Sequence, residues 1–197
     1  CLAPKESLLP GPDLVNLLTG QAISAVLLPP SALSAMPVES LPELKTITVA
    51  GEAFSSELVA RWASGRRFFN LYGPTEATVT ATLAELVPER RVTIGRPLPT
   101  YSIVILDPVA DQVAAAGELG EIGIAGIGLA AGYVNRDDLT RRKFITDFLG
   151  IPNNPSNRIY RTGDLGRFNE DGEIEYHGRI DTQVKIRGYR IETIEIE

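Results

Sequence analysis

Asn70–Thr80 reads "NLYGPTEATVT", and how it is read decides the fold. "RFFNLYGPTE", from Arg67 to Glu76, has the aromatic and apolar run of a strand, and Gly73-Pro74 ends it. A turn needs Gly and Pro but has no need of Thr75-Glu76 directly afterwards. The pair therefore makes the turn a candidate device for holding something against a hydroxyl and a carboxylate.

Two earlier segments share the strand pattern. "AISAVLLPP" (22–30) reads as a buried-type strand stopped by two prolines, and "KTITVAGEAF" (45–54) as a β-branched strand ending at Gly51. Helical returns separate them. "DLVNLLTG" has a possible cap in Asp13 and a terminating Gly20. "SSELVARWASG" is capped by Ser55 or Ser56, places Leu58, Val59 and Trp62 on its apolar face, and ends at Gly65. Strands recurring about every 22 residues with such returns suit a mostly parallel sheet joined by crossovers. Ligands of such sheets sit outside the carboxyl ends of the strands, here "LLPP", "VAGEAF" and "NLYGPTE".

From Val92 the pattern changes. "VTIGRPLPTYSIVILDP", "GELGEIGIAG", "RIYRTGDLGRFNEDGEIEYHGR" and "TQVKIRGYRIE" are short strands separated by Gly, Pro and Asn-Glu-Asp-Gly turns. They predict an antiparallel, small-barrel-like unit containing one helix, "DDLTRRKFI", with Asp137 or Asp138 as its cap. A boundary at 88–92 gives an α/β part over 1–91, a β-barrel-like part over 92–178 and a third segment over 179–197. "GIAGIGLAAGY", with Gly126, Gly128 and Gly132, imitates a dinucleotide fingerprint, but the helix and acid-ended strand that it requires do not follow. These glycines read as tight turns.

Composition narrows the function classes. The 197 residues are 44% hydrophobic and 22% charged, the balance of a globular protein. The net charge of -6 has no basic block to offset it, so no nucleic-acid partner is expected. No apolar run approaches the roughly 18 residues of a membrane span, so none is expected there either. Cys1 is the only cysteine, which excludes an internal disulfide and suits a reducing cytoplasm. The start without Met and the end in "RIETIEIE" both read as cuts in a longer chain. The single histidine, His177, reads as a surface residue, and metal-ligand spacings of His and Cys are absent from the sequence.

Three polar positions stand out in the second half. Thr162-Gly163-Asp164 reads as a polar turn between two strands. It offers Asp164 either to a vicinal diol such as ribose or to its own turn. Arg179 serves ribose or phosphate oxygens, or belongs with Asp181, Lys185, Arg187 and Arg190 to a solvated charged hairpin. Tyr176 offers a flat face for a base.

"NLYGPTE", "GELGEIGIAGIGLAAGY", "YRTGDL" and "GRIDTQVKIRGYRIE", in this order, resemble four consecutive core motifs of the adenylation domains of nonribosomal peptide synthetases. These domains belong to the adenylate-forming superfamily, with acyl- and aryl-CoA ligases and luciferases. The resemblance spans residues 23–197, and Pro74 points to the peptide-synthetase branch. It implies a central fragment of a ligase of secondary metabolism that converts an amino or related carboxylic acid and ATP into an acyl-adenylate. The acyl group then passes to the phosphopantetheine thiol of a peptidyl carrier protein, among neighbouring synthetase domains. The alternatives are a CoA ligase of the same superfamily and a degenerate structural module.

The resemblance also implies roles. Gly51, Glu52, Ala53 and Asn70 line the adenine edge, and Leu71, Tyr72, Gly73 and Pro74 form the nucleotide-facing turn. Tyr72 stacks on the base, with Tyr176 beside it. Thr75 touches the α-phosphate and Glu76 holds Mg2+, these two being the catalytic positions. Asp164 and Arg179 bind the ribose, and Asp181 is the hinge of a carboxyl-terminal subdomain beginning at 179. Leu27, Thr48, Ala50, Leu71, Val79 and Thr80 line the acyl pocket and suit an uncharged side chain. The family's phosphate loop, its amino-group-binding Asp and its catalytic lysine have no counterpart in these residues. The 197-residue chain alone is therefore expected to give no acid-dependent ATP–pyrophosphate exchange, and measurable exchange would refute that.

Overall fold

The computed structural model describes residues 3–37, 41–110 and 112–181, together with the backbone of 184–186 and 189–191. The chain divides into two units, Cys1–Asn70 with Glu85–Val92 and Val184–Glu197, and Leu71–Ala84 with Thr93–Gln183.

The first unit opens with a 3-10 turn over Lys5–Leu8 and helix α1, Pro12–Gly20. Pro12 lies in the first turn, where the missing N–H would have had no partner within the helix, so the helix starts ahead of Asp13. Gly11 is the N-cap, and Asp13 lies in the first turn rather than capping it as expected. Strand β1 (Ala25–Leu28) leads into helix α2 (Pro30–Ala35), then strand β2 (Thr46–Ala50), helix α3 (Ser56–Trp62) and strand β3 (Arg67–Tyr72). β1 pairs parallel with β2, and Arg67 N–H reaches Lys45 O at the start of β3.

The expectation of a buried-type first strand is overturned, because Ala25 and Leu27 are exposed. Among the described residues β1 is the outermost strand of its sheet and pairs only with β2. Its prolines do more than stop it: Pro29 and Pro30 start α2, whose Ser31 N–H donates to the Glu52 carboxylate at 3.0 Å. α3 buries Leu58, Val59 and Trp62 as the spacing predicts, and Gly65 follows with φ 72°.

Strand β4 (Thr82–Leu86) and the two-residue β5 (Arg96–Pro97) pair antiparallel and extend the sheet to the order β1-β2-β3-β4-β5, which is the mostly parallel sheet expected. β3 and β4 run through the division between the units. In the second unit, β6 (Tyr101–Leu106), β7 (Gly120–Gly126), helix α4 (Asp137–Lys143), β8 (Phe144–Thr146), β9 (Arg158–Phe168) and β10 (Ile174–Arg179) follow. They build an antiparallel sheet in the order β10-β9-β7-β6, with β8 paired on β9. One face buries Ile103, Ile105, Ile122, Ile124 and Ile174 together with Ala77 and Ala81. A last hairpin joins β11 (Val184–Ile186) to β12 (Tyr189–Ile191). Arg187, residues 192–197 and the side chains of Lys185 and Arg190 lie outside the described residues.

α4 corrects a second cap. Arg136 is the N-cap and Asp137 and Asp138 lie in the first turn, because the Asp138 carboxylate is engaged by the Arg136 guanidinium in two bonds of 3.0 Å. Among the described residues no helix is long and apolar enough to cross a membrane.

The loop from β8 to β9 is organised by one buried carboxylate. Asp147 accepts the N–H groups of Leu149 (2.9 Å) and Ile151 (2.8 Å) and the Asn154 amide (2.9 Å). Burial pushes its carboxyl up, but the bonds from Asn154, Leu149 and Ile151 outweigh this and hold it below the usual carboxylate range. Asp147→Ala strands those donors and is expected to destabilise the protein by about 2 kcal/mol, read from urea midpoints at pH 7. A native pKa below the unfolded value of about 3.9 means that the contribution is full above pH ~4 and is lost as pH falls. The gap between variant and wild type should therefore narrow at low pH, and a constant gap would count against this role.

Candidate active site

β3 delivers Tyr72 to the turn at Gly73-Pro74. A Cβ on Gly73 would lie 2.7 Å from Ala81 N and from Val79 O, so only glycine lets the chain double back this closely. Thr75–Ala77 form a 3-10 turn, and Thr78 and Val79 then both take left-handed φ values of 49° and 72°. Val79 is β-branched, and such residues rarely adopt positive φ. The turn is held by Ala81 N–H on Tyr72 O at 2.8 Å and Ala77 N–H on Pro74 O at 3.0 Å.

The strongest polar cluster is built around Asp164, which is 5% exposed. The expected turn at Thr162-Gly163-Asp164 is not a break between two strands. It lies inside the 11-residue β9, where Gly163 takes φ 78° and the register against β7 shifts between Glu121 and Gly123. The bulge is possible because glycine alone adopts this φ without cost, and it re-aims the next side chain. Gly163 N–H donates to Glu121, itself ion-paired with Arg161 at 2.7 Å, and Asp164 N–H donates to Thr162 Oγ1.

Three groups meet the Asp164 carboxylate or its partner. Tyr72 Oη donates to Oδ2 at 2.6 Å and Arg179 Nη1 to Oδ1 at 2.7 Å. Arg179 also donates through Nε and Nη2 to both oxygens of Asp181, at 2.6 and 2.8 Å. One guanidinium therefore joins two carboxylates. Burial opposes its charge, but the bonds to Asp181 and the field of Asp164 prevail and raise its pKa. Burial and then the Asp164 charge push the Tyr72 phenol well above its ordinary value. The same causes push Tyr176, whose ring centroid is 6.4 Å from that of Tyr72, up to about 12.

A second buried carboxylate, Glu76, is 6% exposed. Its Oε1 accepts the Tyr133 hydroxyl at 2.6 Å, and Tyr160 Oη lies 3.3 Å from that hydroxyl. Thr75 is exposed. Leu71, Tyr72, Gly73, Pro74, Thr75, Glu76, Val79, Thr80, Asp164, Tyr176, Arg179 and Asp181 all lie in the second unit. Gly51, Glu52, Ala53, Asn70, Leu27, Thr48 and Ala50 lie in the first. There Leu27 pairs in register with Thr48, and Thr48 and Ala50 alternate with the buried Ile47 and Val49. The three residues therefore share one face of β1 and β2. His177 is exposed, as expected, with Nε2 3.3 Å from Glu175.

Sequence reasoning missed Tyr133, Tyr160, Thr162 and Glu121 as site residues. The only signal available was Tyr133 at the end of the glycine run, and nothing in the spacing linked it to Glu76.

A family model described as AMP-binding enzyme matches residues 1–134, and the chain belongs to that family. It is 47% identical over 196 residues to the phosphinothricin tripeptide synthetase PhsC of Streptomyces viridochromogenes, matching 100% of this chain and 18% of that protein. Among solved structures it is similar to the Vibrio cholerae adenylation domain AlmE in complex with glycyl-adenosine-5'-phosphate. The TM-score is 0.83 at 27% identity, over 98% of this chain and 38% of that one. It is equally similar to holo-PA1221, an NRPS protein containing adenylation and PCP domains bound to a vinylsulfonamide inhibitor. There the TM-score is 0.83 at 28% identity, over 94% of this chain and 33% of the other. The chain thus spans well under half the length of each of these proteins.

Removing Arg179 would leave Asp164 buried with its negative charge uncompensated. Arg179→Ala is expected to cost about 3 kcal/mol in urea denaturation, whereas Arg136→Ala, at an exposed pair, should cost far less. Equal losses would contradict the electrostatic reading of the Asp164 cluster.

Proposed function

We propose that this chain is the central part of an adenylation domain that activates an amino or related carboxylic acid for thioester loading onto a peptidyl carrier protein. In the reaction the substrate carboxylate attacks the α-phosphorus of ATP. The new O–P bond forms as the bond to the leaving pyrophosphate breaks, and the acyl-adenylate results. The phosphopantetheine thiol then gives up its proton and attacks the acyl carbonyl, and the thioester C–S bond forms as the acyl C–O bond breaks and AMP leaves.

The observation that carries this reading is the Asp164 carboxylate held between Tyr72 and Arg179. A carboxylate has about four acceptor positions, and these two bonds use one on each oxygen, so acceptor capacity remains for a ribose diol. The Tyr72 and Tyr176 rings stand beside it for the base. Glu76, on the turn that follows Tyr72, brings a second carboxylate for the phosphate region. The likeness to a glycyl-adenylate-bound adenylation domain and to an adenylation–PCP protein supports the nucleotide, the acyl-adenylate and the carrier protein.

The donor set also fits Mg2+. Glu76 is a buried carboxylate and offers hard oxygen donors. Mg2+ is suited to such a site, because it is held by one or two carboxylates plus phosphate oxygens and keeps several waters. Glu76 would be its protein ligand, and the ion would neutralise charge developing on the phosphate oxygens. Thr75 would donate its hydroxyl to the same phosphate. Arg179 would hold Asp164 in place, and its link to Asp181 sets the proposed hinge beside the ribose site. For the acid, the face shared by Leu27, Thr48 and Ala50 supports an uncharged side chain.

In the complete parent domain, Asp164→Ala is expected to lower ATP–pyrophosphate exchange about tenfold or more, since a charge-assisted bond to ribose contributes about 1.5–3 kcal/mol. Glu76→Gln should abolish exchange at limiting Mg2+. Unchanged ATP dependence in the first variant, or normal exchange in the second, would remove the corresponding assignment.

A further inference from the structure

We infer that the glycine run ending in Tyr133 is a clamp that positions Glu76 for metal binding, with Tyr133 as the positioning residue. This rests on the reading of Glu76 as the Mg2+ ligand. Four contacts from two separate stretches, the glycine run and the start of β6, converge on the 3-10 turn that carries Glu76. Ala130 N–H donates to the Glu76 carbonyl at 2.8 Å, and the Thr78 hydroxyl donates to Gly128 O at 2.7 Å. The Tyr101 hydroxyl donates to Ala77 O at 2.8 Å, and the Tyr133 hydroxyl donates to Glu76 Oε1 at 2.6 Å. The first two hold the backbone of the turn against the loop, and the last sets the direction of the side chain.

The loop is built for this approach. A Cβ on Gly128 would lie 1.8 Å from Tyr101 Oη, so a larger residue would displace the hydroxyl that holds Ala77. Gly132, at φ 146°, would place a Cβ 2.6 Å from Thr140, whose Oγ1 accepts the Tyr133 N–H at 2.9 Å. That bond fixes the Tyr133 backbone. The Tyr133 ring is held edge-on against Phe144 at 5.8 Å, and its hydroxyl faces Tyr160 Oη. With ring and backbone fixed, the hydroxyl oxygen is held 2.6 Å from Glu76 Oε1. A charge-assisted O–H···O− bond at this distance selects one Glu76 rotamer. A carboxylate so oriented meets a hard cation with no reorganisation.

The test is a titration of Mn2+, followed by EPR, into the complete parent domain saturated with a non-hydrolysable ATP analogue, alongside metal-free binding of the same analogue. Hydrogen-bonded partners of metal ligands typically change metal affinity 10–100-fold. Tyr133→Phe, which keeps the ring on Phe144, is expected to weaken Mn2+ about tenfold and to leave metal-free nucleotide binding unchanged. Tyr101→Phe, measured in parallel, should weaken Mn2+ in the same direction and stands in if Tyr133→Phe does not fold. If Glu76→Gln weakens Mn2+ while both phenylalanine variants bind it as wild type does, the clamp is refuted and the metal ligand stands. If Glu76→Gln itself leaves Mn2+ binding intact, the reading of Glu76 falls and the clamp falls with it.

Discussion

A carboxylate taken out of water must be met by a cation and by hydrogen-bond donors, or the fold pays several kcal/mol to keep it. Asp164 imposes that demand on the second unit. Arg179 and Tyr72 meet the two carboxylate oxygens from different strands. Reaching them requires Gly163 in the left-handed region, and that bulge in turn requires the shifted register between β9 and β7. Beneath the bulge, Glu121 takes the Gly163 N–H and is balanced by Arg161. The ladder, the bulge and two ion pairs are consequences of placing one negative charge inside.

Glu76 repeats the pattern at the other end of the same turn. Both buried carboxylates accept a tyrosine hydroxyl at 2.6 Å, and both tyrosines are anchored by neighbouring aromatic rings. A tyrosine donor orients the acid without neutralising it. Asp164 has in addition a guanidinium shared with Asp181, so its charge is balanced by the fold. Tyr72 serves twice, packing its ring beside that of Tyr176 and holding an acid with its hydroxyl. The aromatic position before Gly73-Pro74 therefore has two physical requirements, and phenylalanine would meet only one of them.

Local patterning made much of the fold legible. The three helical and strand repeats of the first half, the apolar face of α3 with Trp62, and the antiparallel second half follow from period and punctuation. The misreadings share a cause. Asp13, Asp137 and Asp138 are good cap residues by type, but Pro12 and the Arg136 guanidinium moved the helix starts or engaged the acid first. β1 reads as buried by composition, but its place at the sheet edge leaves Leu27 62% exposed. Thr-Gly-Asp has the composition of a turn, and long-range pairing on both sides kept it within a strand. The glycine run at 126–132 has no helix of its own, and its purpose became visible only where it touches Glu76.

The sequence by itself determined the residue chemistry: a Gly-Pro turn with Thr75-Glu76 after a strand, an Asp164 beside a glycine, and the motif order that places the chain in its family. Those choices are local, and side-chain type and spacing record them directly. Tertiary structure alone decided which donor meets which acid. Tyr72 and Asp164 are 92 residues apart, and Tyr133 and Glu76 are 57 apart. Such pairings depend on strand register and on one bulge, and register is a property of paired chains that no single stretch of sequence carries.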